Sequence, residues 1–363
     1  MSALVLHVLP VDLFRGAQTY ARELRTRLDE PDTRHRTLTI FRSDGGALHP
    51  DLSLDVESGT ARRLGLDPRA VARLRRELAR LKPDLVVAHG GEPLKYAVLA
   101  GAGRDRIVYY KIGGDDARLA GAHRALHRWL LRRARAVAAV SEGAAAEVRR
   151  LGVSPGAVRV IPNGRDSSVY THGRGGDERR GEPSLVWVGH FNASKRPERF
   201  IALVQALRAD GVAVGGAMAG DGPRRAQLGA AARDAGVELL GNIDDVPRLL
   251  GRSDVFVFTG APPEGMPGVL IEAGMAGLPV VTTEVPGARE IVEDGLTGVI
   301  VPLDDFDALV HATRALAVDA AERDRLGDAA RRRCEDTFGL DASVARWREL
   351  LRELLGDSCA SST

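Results

Sequence analysis

Short apolar runs alternate along the chain with longer stretches whose apolar residues recur every three or four positions. The runs at 3–9, 37–41, 84–88, 106–110 and 136–140 read as buried strands of one sheet. Those at 185–188, 212–219, 237–240, 254–258, 279–282 and 298–301 read as strands of a second. Between them the period becomes helical. Tyr20, Leu24 and Leu28 follow Gly16, while Val71, Leu74, Leu78 and Leu81 follow the helix start Asp67-Pro68 and stop before Pro83. Phe200, Ile201, Val204 and Leu207 follow Pro197, and Val344, Trp347, Leu350, Leu351 and Leu354 mark a closing helix over 338–355. Strands alternating with helices imply an α/β fold with parallel sheets. Residues 165–183 are polar and Gly-rich and read as a connection between two domains. The tail, 358–363, is expected to fray.

A length of 363 residues suits two domains, and a net charge of +2 argues against a dedicated nucleic-acid binder. Cys334 and Cys359 suit neither a disulfide framework nor a metal cluster, so a reducing cytoplasm is the expected setting. Residues 1–10 lack a basic leader region and a cleavage site, and they are expected to form the first strand. Lysine occurs only at 82, 95, 111 and 195, which makes a lysine at a candidate site slightly more informative.

Residues 117–136 carry Arg118, Arg124, Arg128, Arg132, Arg133 and Arg135 among Leu119, Leu126, Trp129 and Leu130. They read as a solvated basic helix, with contact to the inner membrane face as the alternative. His123 and His127 have a metal-ligand spacing but no third ligand. Asp305-Phe-Asp307 imitates a metal motif, yet it opens a surface helix, where acids favour the helix dipole. No metal site and no cofactor are expected.

The chemistry concentrates in Glu264-Gly265-Met266-Pro267-Gly-Val-Leu-Ile-Glu272. It lies between the strand at 254–258 and the strand that starts with Pro279, and Pro267 suits the first position of a helix. Glu264 therefore stands at a strand's carboxyl end, where ligands bind in open α/β sheets, and Glu272 lies along the helix behind it. The stretch resembles the E-x7-E signature of retaining nucleotide-sugar glycosyltransferases of the GT-B fold, family 4. Further strings are similar to the same family: Lys82-Pro-Asp-Leu-Val-Val-Ala-His89, Val140-Ser-Glu142, Ile161-Pro-Asn-Gly164 and Gly220-Asp-Gly-Pro223. So is Gly189-His190-Phe-Asn-Ala-Ser-Lys195-Arg196-Pro197, although the family has arginine where His190 stands.

The resemblance spans almost the whole chain. It implies a GT-B architecture of two facing Rossmann-like domains. The acceptor-side domain is 1–164, the linker 165–183 and the nucleotide-sugar domain 184–337, and the segment 338–363 carries a helix crossing back to the first domain. It implies transfer of a sugar from a nucleotide diphosphate sugar to a carbohydrate, lipid-linked or small-molecule hydroxyl, with retained configuration. Lys195 is then the diphosphate cation, with His190 a weaker one and Arg196 a compensating one. Gly189, Gly265, Met266 and Pro267 line the donor, Glu264 faces the reacting sugar and Glu272 accepts hydrogen bonds from the ribose. Gly16, at a strand–helix turn, reads either as a close approach to phosphate or as an ordinary tight turn. His89 and Lys111 are expected on the acceptor or sugar side, Lys111 standing near the strand end where many relatives have histidine. Acceptor contacts are expected from loops at 43–60 and 91–95. Three competing readings remain. A GT-B nucleotide-sugar epimerase shares the fold. A two-lobed solute-binding protein needs a secretion signal, and a Rossmann dehydrogenase needs a G-x-G-x-x-G loop that is absent.

Overall fold

The structure is a computed structural model that describes residues 2–11, 16–42, 49–57, 65–112, 121–170, 181–262 and 266–360. The chain divides into two compact units, Met1–Gly164 with Asp341–Thr363, and Arg165–Leu340.

In the first unit the described strands are β1 (Ala3–Val11), β2 (Thr33–Arg42), β3 (Leu52–Glu57), β4 (Leu85–His89), β5 (Ile107–Lys111), β6 (Ala136–Ala139) and β7 (Val158–Val160). They form a parallel sheet in the order β3-β2-β1-β4-β5-β6-β7. The described helices are α1 (Gly16–Leu28), α2 (Pro68–Leu81), α3 (Gly91–Leu99), α4 (Gly121–Leu131) and α5 (Glu142–Arg150). Strands β4, β5 and β6 are buried throughout, which is why they appear in the sequence as continuous apolar runs. Helix α2 starts where the Asp67 carboxylate accepts the Arg69 N–H at 2.9 Å, and it ends where Lys82 turns left-handed ahead of Pro83.

The two faces of β1 differ in character. Leu6 and Val8 pack on Ala70 and Leu74 of α2 and on Tyr96 and Ala97 of α3, an aliphatic and aromatic core. The opposite face carries His7 and Leu9, and Leu9 packs on Ala21 of α1. The C-terminal helix, Leu340–Ala360, contributes to the first unit although it follows the second in the chain. Its Trp347 is fully buried, stands edge-on to Tyr110 at 5.1 Å and donates its indole N–H to the Tyr20 hydroxyl at 3.1 Å. Ser343 donates to the Pro162 carbonyl at 2.7 Å.

The second unit contains β8 (Ser184–Val188), β9 (Gly215–Ala219), β10 (Val237–Gly241), β11 (Val255–Phe258), β12 (Val280–Thr283) and β13 (Gly298–Val301). Its described helices are α6 (Pro197–Ala209), α7 (Arg225–Asp234), α8 (Val246–Gly251), α9 (Gly268–Met275), α10 (Ala288–Ile291), α11 (Phe306–Val318) and α12 (Ala320–Phe338). The sheet is parallel in the order β10-β9-β8-β11-β12-β13, with one apolar core on each face. Helices α9 and α12 meet closely, since a Cβ on Gly274 would come within 2.4 Å of Cys334 Sγ. Burial there pushes the Cys334 thiol up to about 12, so it is an inert packing group.

Several local expectations change. The loop at 43–60 contains an edge strand, β3, whose Leu54 and Val56 point into the core on alternate positions. Residues 91–95 open helix α3 and are not a loop, because Leu94, Tyr96 and Ala97 bury one face. Of the basic segment 117–136, residues 117–120 lie outside the described ones, and α4 exposes Leu126 and Trp129, with the Arg133 guanidinium 3.5 Å from the Trp129 ring centre. The helix expected over 338–355 begins at Leu340, because Gly339 is extended and ends α12. Residues 165–170, assigned by composition to the connection, are held in the second unit. The Arg165 N–H donates to Phe338 O and the Leu340 N–H to Arg165 O, both at 2.9 Å, and Tyr170 is buried in its core. Among the described residues no helix is long and apolar enough to cross a membrane.

Candidate functional site

In the second sheet the strand order reverses between β8 and β11, both central strands. Ligands of open α/β sheets bind outside the carboxyl ends of the strands at this point. The described parts of the connections that leave those two ends are 189–196, and 259–262 with 266–267. They are tied together by buried polar contacts. The Thr259 hydroxyl lies 2.8 Å from the Lys195 carbonyl and 2.9 Å from that of Arg196, and it accepts the Trp187 indole N–H at 3.0 Å. The Ala261 N–H donates to Ser194 O at 2.7 Å.

The first loop is shaped by its own residues. Asn192 Oδ1 accepts the Lys195 N–H and the Ser194 hydroxyl, both at 3.0 Å, a local turn of the kind that asparagine favours. Arg196 is left-handed with φ 48°, a strained conformation for a side chain with a Cβ, and Pro197 then starts α6. The strained turn delivers Lys195 to the end of β11, where its ammonium lies 4.9 Å from the Phe258 ring centre. His190 is exposed. Arg196 was expected to add a cation beside Lys195, but its guanidinium is bonded to Leu303 O at 3.2 Å and paired with Asp304 at 2.8 Å.

Around α9, Pro267 is buried and Met266 half-buried, and the helix begins without a side-chain cap. Glu272 is half-buried, and its Oε1 accepts from Arg165 Nε at 2.8 Å. The Arg165 guanidinium lies against the first turn of α9, where a Cβ on Gly268 would stand 2.7 Å from Nη2. Composition had concealed Arg165 in the polar connection. Glu264 and Gly265 lie outside the described residues. Asp305 accepts the Ala308 N–H at 2.8 Å and so caps α11, which gives the Asp-Phe-Asp string a structural role. No group of three metal-capable side chains occurs among the described residues.

In the first unit, Gly16 is the first described residue of α1, and the four residues before it lie outside the description. The first sheet reverses between β1 and β4, and His89 ends β4 at that reversal. It is buried rather than open to solvent, and its ring stands edge-on to Tyr110 with centres 5.6 Å apart. Lys111 is not placed as a site cation. It was expected as a cation for a phosphate or an acidic acceptor, yet it is 1% exposed and its ammonium lies 3.1 Å from Glu147 of α5. The hydrophobic strand end turns this lysine into the protein, where a charge requires a partner.

The family model of glycosyl transferases group 1 matches residues 182–319, and that of glycosyltransferase family 4 matches residues 14–169. The chain belongs to the group 1, family 4 glycosyltransferases. It is 31% identical to the 2-deoxystreptamine N-acetyl-D-glucosaminyltransferase of Streptomyces fradiae, over 67% of this chain and 65% of that one. It is 30% identical to the glycogen synthase of Mycobacterium tuberculosis, over 59% of this chain and 53% of that one. The alignments with these curated relatives thus span less than two thirds of their length. Among solved structures, the fold matches Anabaena Alr3699/HepE in complex with UDP and glucose, with a TM-score of 0.77, 18% identity and coverage of 96% and 98% of the two chains. It also matches sucrose-phosphate synthase from Thermosynechococcus elongatus, with a TM-score of 0.79, 19% identity and coverage of 98% and 100%.

In this family member the loop after β8 rests on the loop after β9. The Phe191 N–H donates to Asp221 O at 2.9 Å, and the Arg224 N–H to Phe191 O at 3.0 Å. The fit depends on Gly220, whose φ is 129° and whose added Cβ would lie 1.9 Å from Gly189 O. Gly220→Ala is expected to lose about 1–3 kcal/mol of stability through that strain and to displace the Lys195 loop. Thermal unfolding measures the first effect, and nucleotide titration the second. Unchanged values in both would show that the loops are not coupled.

Proposed function

We propose that the chain transfers a sugar from a nucleotide diphosphate sugar to an acceptor hydroxyl, with retention and without a divalent metal. The setting is glycan, glycolipid or glycosylated natural-product biosynthesis. The observation that carries this reading is the placement of Lys195 at the reversal point of the second sheet, on a strained loop bonded to Thr259. The S. fradiae relative is named as an N-acetyl-D-glucosaminyltransferase and the Anabaena structure as a complex with UDP and glucose, which supports a nucleotide-sugar donor.

In this reading the anomeric C–O bond breaks and its electron pair goes to the diphosphate. Lys195 and the uncapped N–H groups of α9 stabilise the growing charge. Glu272, oriented by Arg165, receives the ribose hydroxyls. Glu264 faces the sugar, which becomes oxocarbenium-like, and the acceptor is held by the first unit.

A donor screen by thermal shift, mass spectrometry of the products and NMR of the anomeric proton test the proposal, with and without chelator. The expected product retains the donor's configuration at equal rates in both conditions. An inverted product, or conversion of donor without any acceptor, would overturn it. Lys195→Ala is expected to cost about 2–4 kcal/mol in kcat/KM, as loss of an oxyanion donor does. Near wild-type kinetics would reduce Lys195 to a surface charge. Glu264→Gln is expected to lower kcat while the nucleotide still binds, and Glu272→Gln mainly to raise the donor KM, as loss of uniform binding does. Equal, binding-only defects would remove this division of roles.

A further inference from the structure

Helix α4 has two apolar faces, and the core of the first unit uses one of them. Leu130 and Leu131 are buried in a cluster with Ile107, Tyr109 and Val137, and the half-buried His127 stands edge-on to Tyr109 with ring centres 6.2 Å apart. Ala122, Ala125, Leu126 and Trp129 recur at i, i+3, i+4 and i+7, the spacing of a different face, and all four are exposed. Leu126 is 47% exposed and Trp129 40%, so two large apolar side chains in adjacent turns meet solvent together. The flank of this stripe is cationic. Arg124, Arg128 and Arg132 recur every four residues beside it and are exposed, and the Arg132 N–H continues the helical turn to Arg128 O at 3.2 Å. The Arg133 guanidinium lies 3.5 Å from the Trp129 ring centre and donates to the Trp129 carbonyl at 3.1 Å. Residues 121–135 hold five arginines and no acidic residue. A solvated helix face usually mixes both signs of charge, whereas an apolar stripe flanked by cations alone complements a surface that is anionic outside and apolar beneath.

We propose that this face of α4 docks on a lipid surface with anionic headgroups. Leu126 and Trp129 enter the boundary between headgroups and acyl chains, with the indole N–H left among polar groups. Arg124, Arg128 and Arg132 bind the lipid phosphates, their aliphatic stems lying along the apolar stripe. Charge complementarity selects this occupant. A nucleic acid would meet the arginines but leave Leu126 against a polar backbone, and Arg133 already covers a face of Trp129 that a base would stack on. Leu126 and Trp129 together carry about as much apolar carbon as one myristoyl chain, which alone binds a membrane only marginally. The arginines therefore supply a large share of the attraction, so docking fails on neutral lipid and weakens with salt. Docking of this kind does not depend on the transfer reaction.

The test uses the full chain with vesicles of phosphatidylglycerol, and of phosphatidylcholine as the neutral control. Of the three tryptophans, Trp187 and Trp347 are fully buried, so a change in fluorescence on adding vesicles reports Trp129. Phosphatidylglycerol vesicles at low salt should sediment the protein, shift its emission to the blue and protect it from acrylamide. Phosphatidylcholine vesicles should do none of these. Replacing Arg124, Arg128 and Arg132 together by glutamine should weaken vesicle binding about 10²-fold, at about fivefold per arginine. Leu126→Gln should weaken it about tenfold, through lost apolar insertion, with the thermal unfolding of the protein unchanged. This single exposed change decides the matter should the triple variant fail to fold. Wild-type protein that ignores phosphatidylglycerol vesicles, or binds both kinds equally, would sink the proposal. So would folded variants that bind like wild type. Release from the vesicles by equimolar single-stranded DNA would assign the face to nucleic acid instead.

Discussion

Lys111→Met is expected to destabilise the first unit by about 3 kcal/mol, the lower end for breaking a buried ion pair. The lysine ends β5 with its side chain 1% exposed, and its partner Glu147, on α5, is 17% exposed. Removing the ammonium leaves the half-buried Glu147 carboxylate without that counter-charge. The residual access of water to Glu147 is why the low end applies. The double variant Lys111→Met, Glu147→Leu removes both charges and should recover most of the loss, since an apolar pair of similar volume replaces a buried ion pair at little cost. Denaturant unfolding of the three proteins measures the coupling. If Lys111 instead served a phosphate or an acidic acceptor, the single variant would unfold like wild type and lose turnover.

Acidification is expected to open the first unit before the second. Burial lowers His89 to about 3 and His35 to about 4, and His7 is driven well below its ordinary range by burial and by His89 and His35. For His35 the carboxylates of Asp29 and Glu30 oppose that shift and Arg25 adds to it. Unfolded, each imidazole takes up a proton near pH 6.5, so between that value and the folded one the unfolded chain binds more protons. The stabilisation is therefore complete above about pH 6.5 and is lost as the pH falls. Each imidazole costs about 1.4 kcal/mol of stability per pH unit, and the three together about 4 kcal/mol per pH unit between about pH 6 and pH 4. A domain stable by about 5–15 kcal/mol is then exhausted within a few units. In the second unit the described histidines, His190 and His311, are both exposed. Hydrogen exchange read peptide by peptide should show β1, β2 and β4 losing protection at higher pH than β8, β11 and β12. His7→Gln should be less stable at neutral pH and show an acid slope about one third shallower. Simultaneous loss of protection in both units would refute the assignment.

The central strands of both sheets were legible because parallel strands buried on two faces are apolar throughout. The loop after β8 was legible because its chemistry is local: Asn192 shapes the turn, Pro197 starts the helix, and Lys195 lies between them. Short-range signals for β3 and α3 were present in the alternation of Leu52, Leu54 and Val56 and in the buried Leu94, Tyr96 and Ala97, but polar neighbours obscured them. What the sequence could not reveal was the partner of each buried polar group. Glu272 meets an arginine 107 positions away, and His7 meets His35 and His89, 28 and 82 positions away. Lys111 looks like a strand-end cation until the fold packs α5 over it. Periodicity and turn chemistry act over a few residues, so most strands and helices, and the loops that carry charge, could be read from the order of the residues. Which charges face solvent and which are paired emerged with the folded chain, because desolvation depends on neighbours that the sheet brings together.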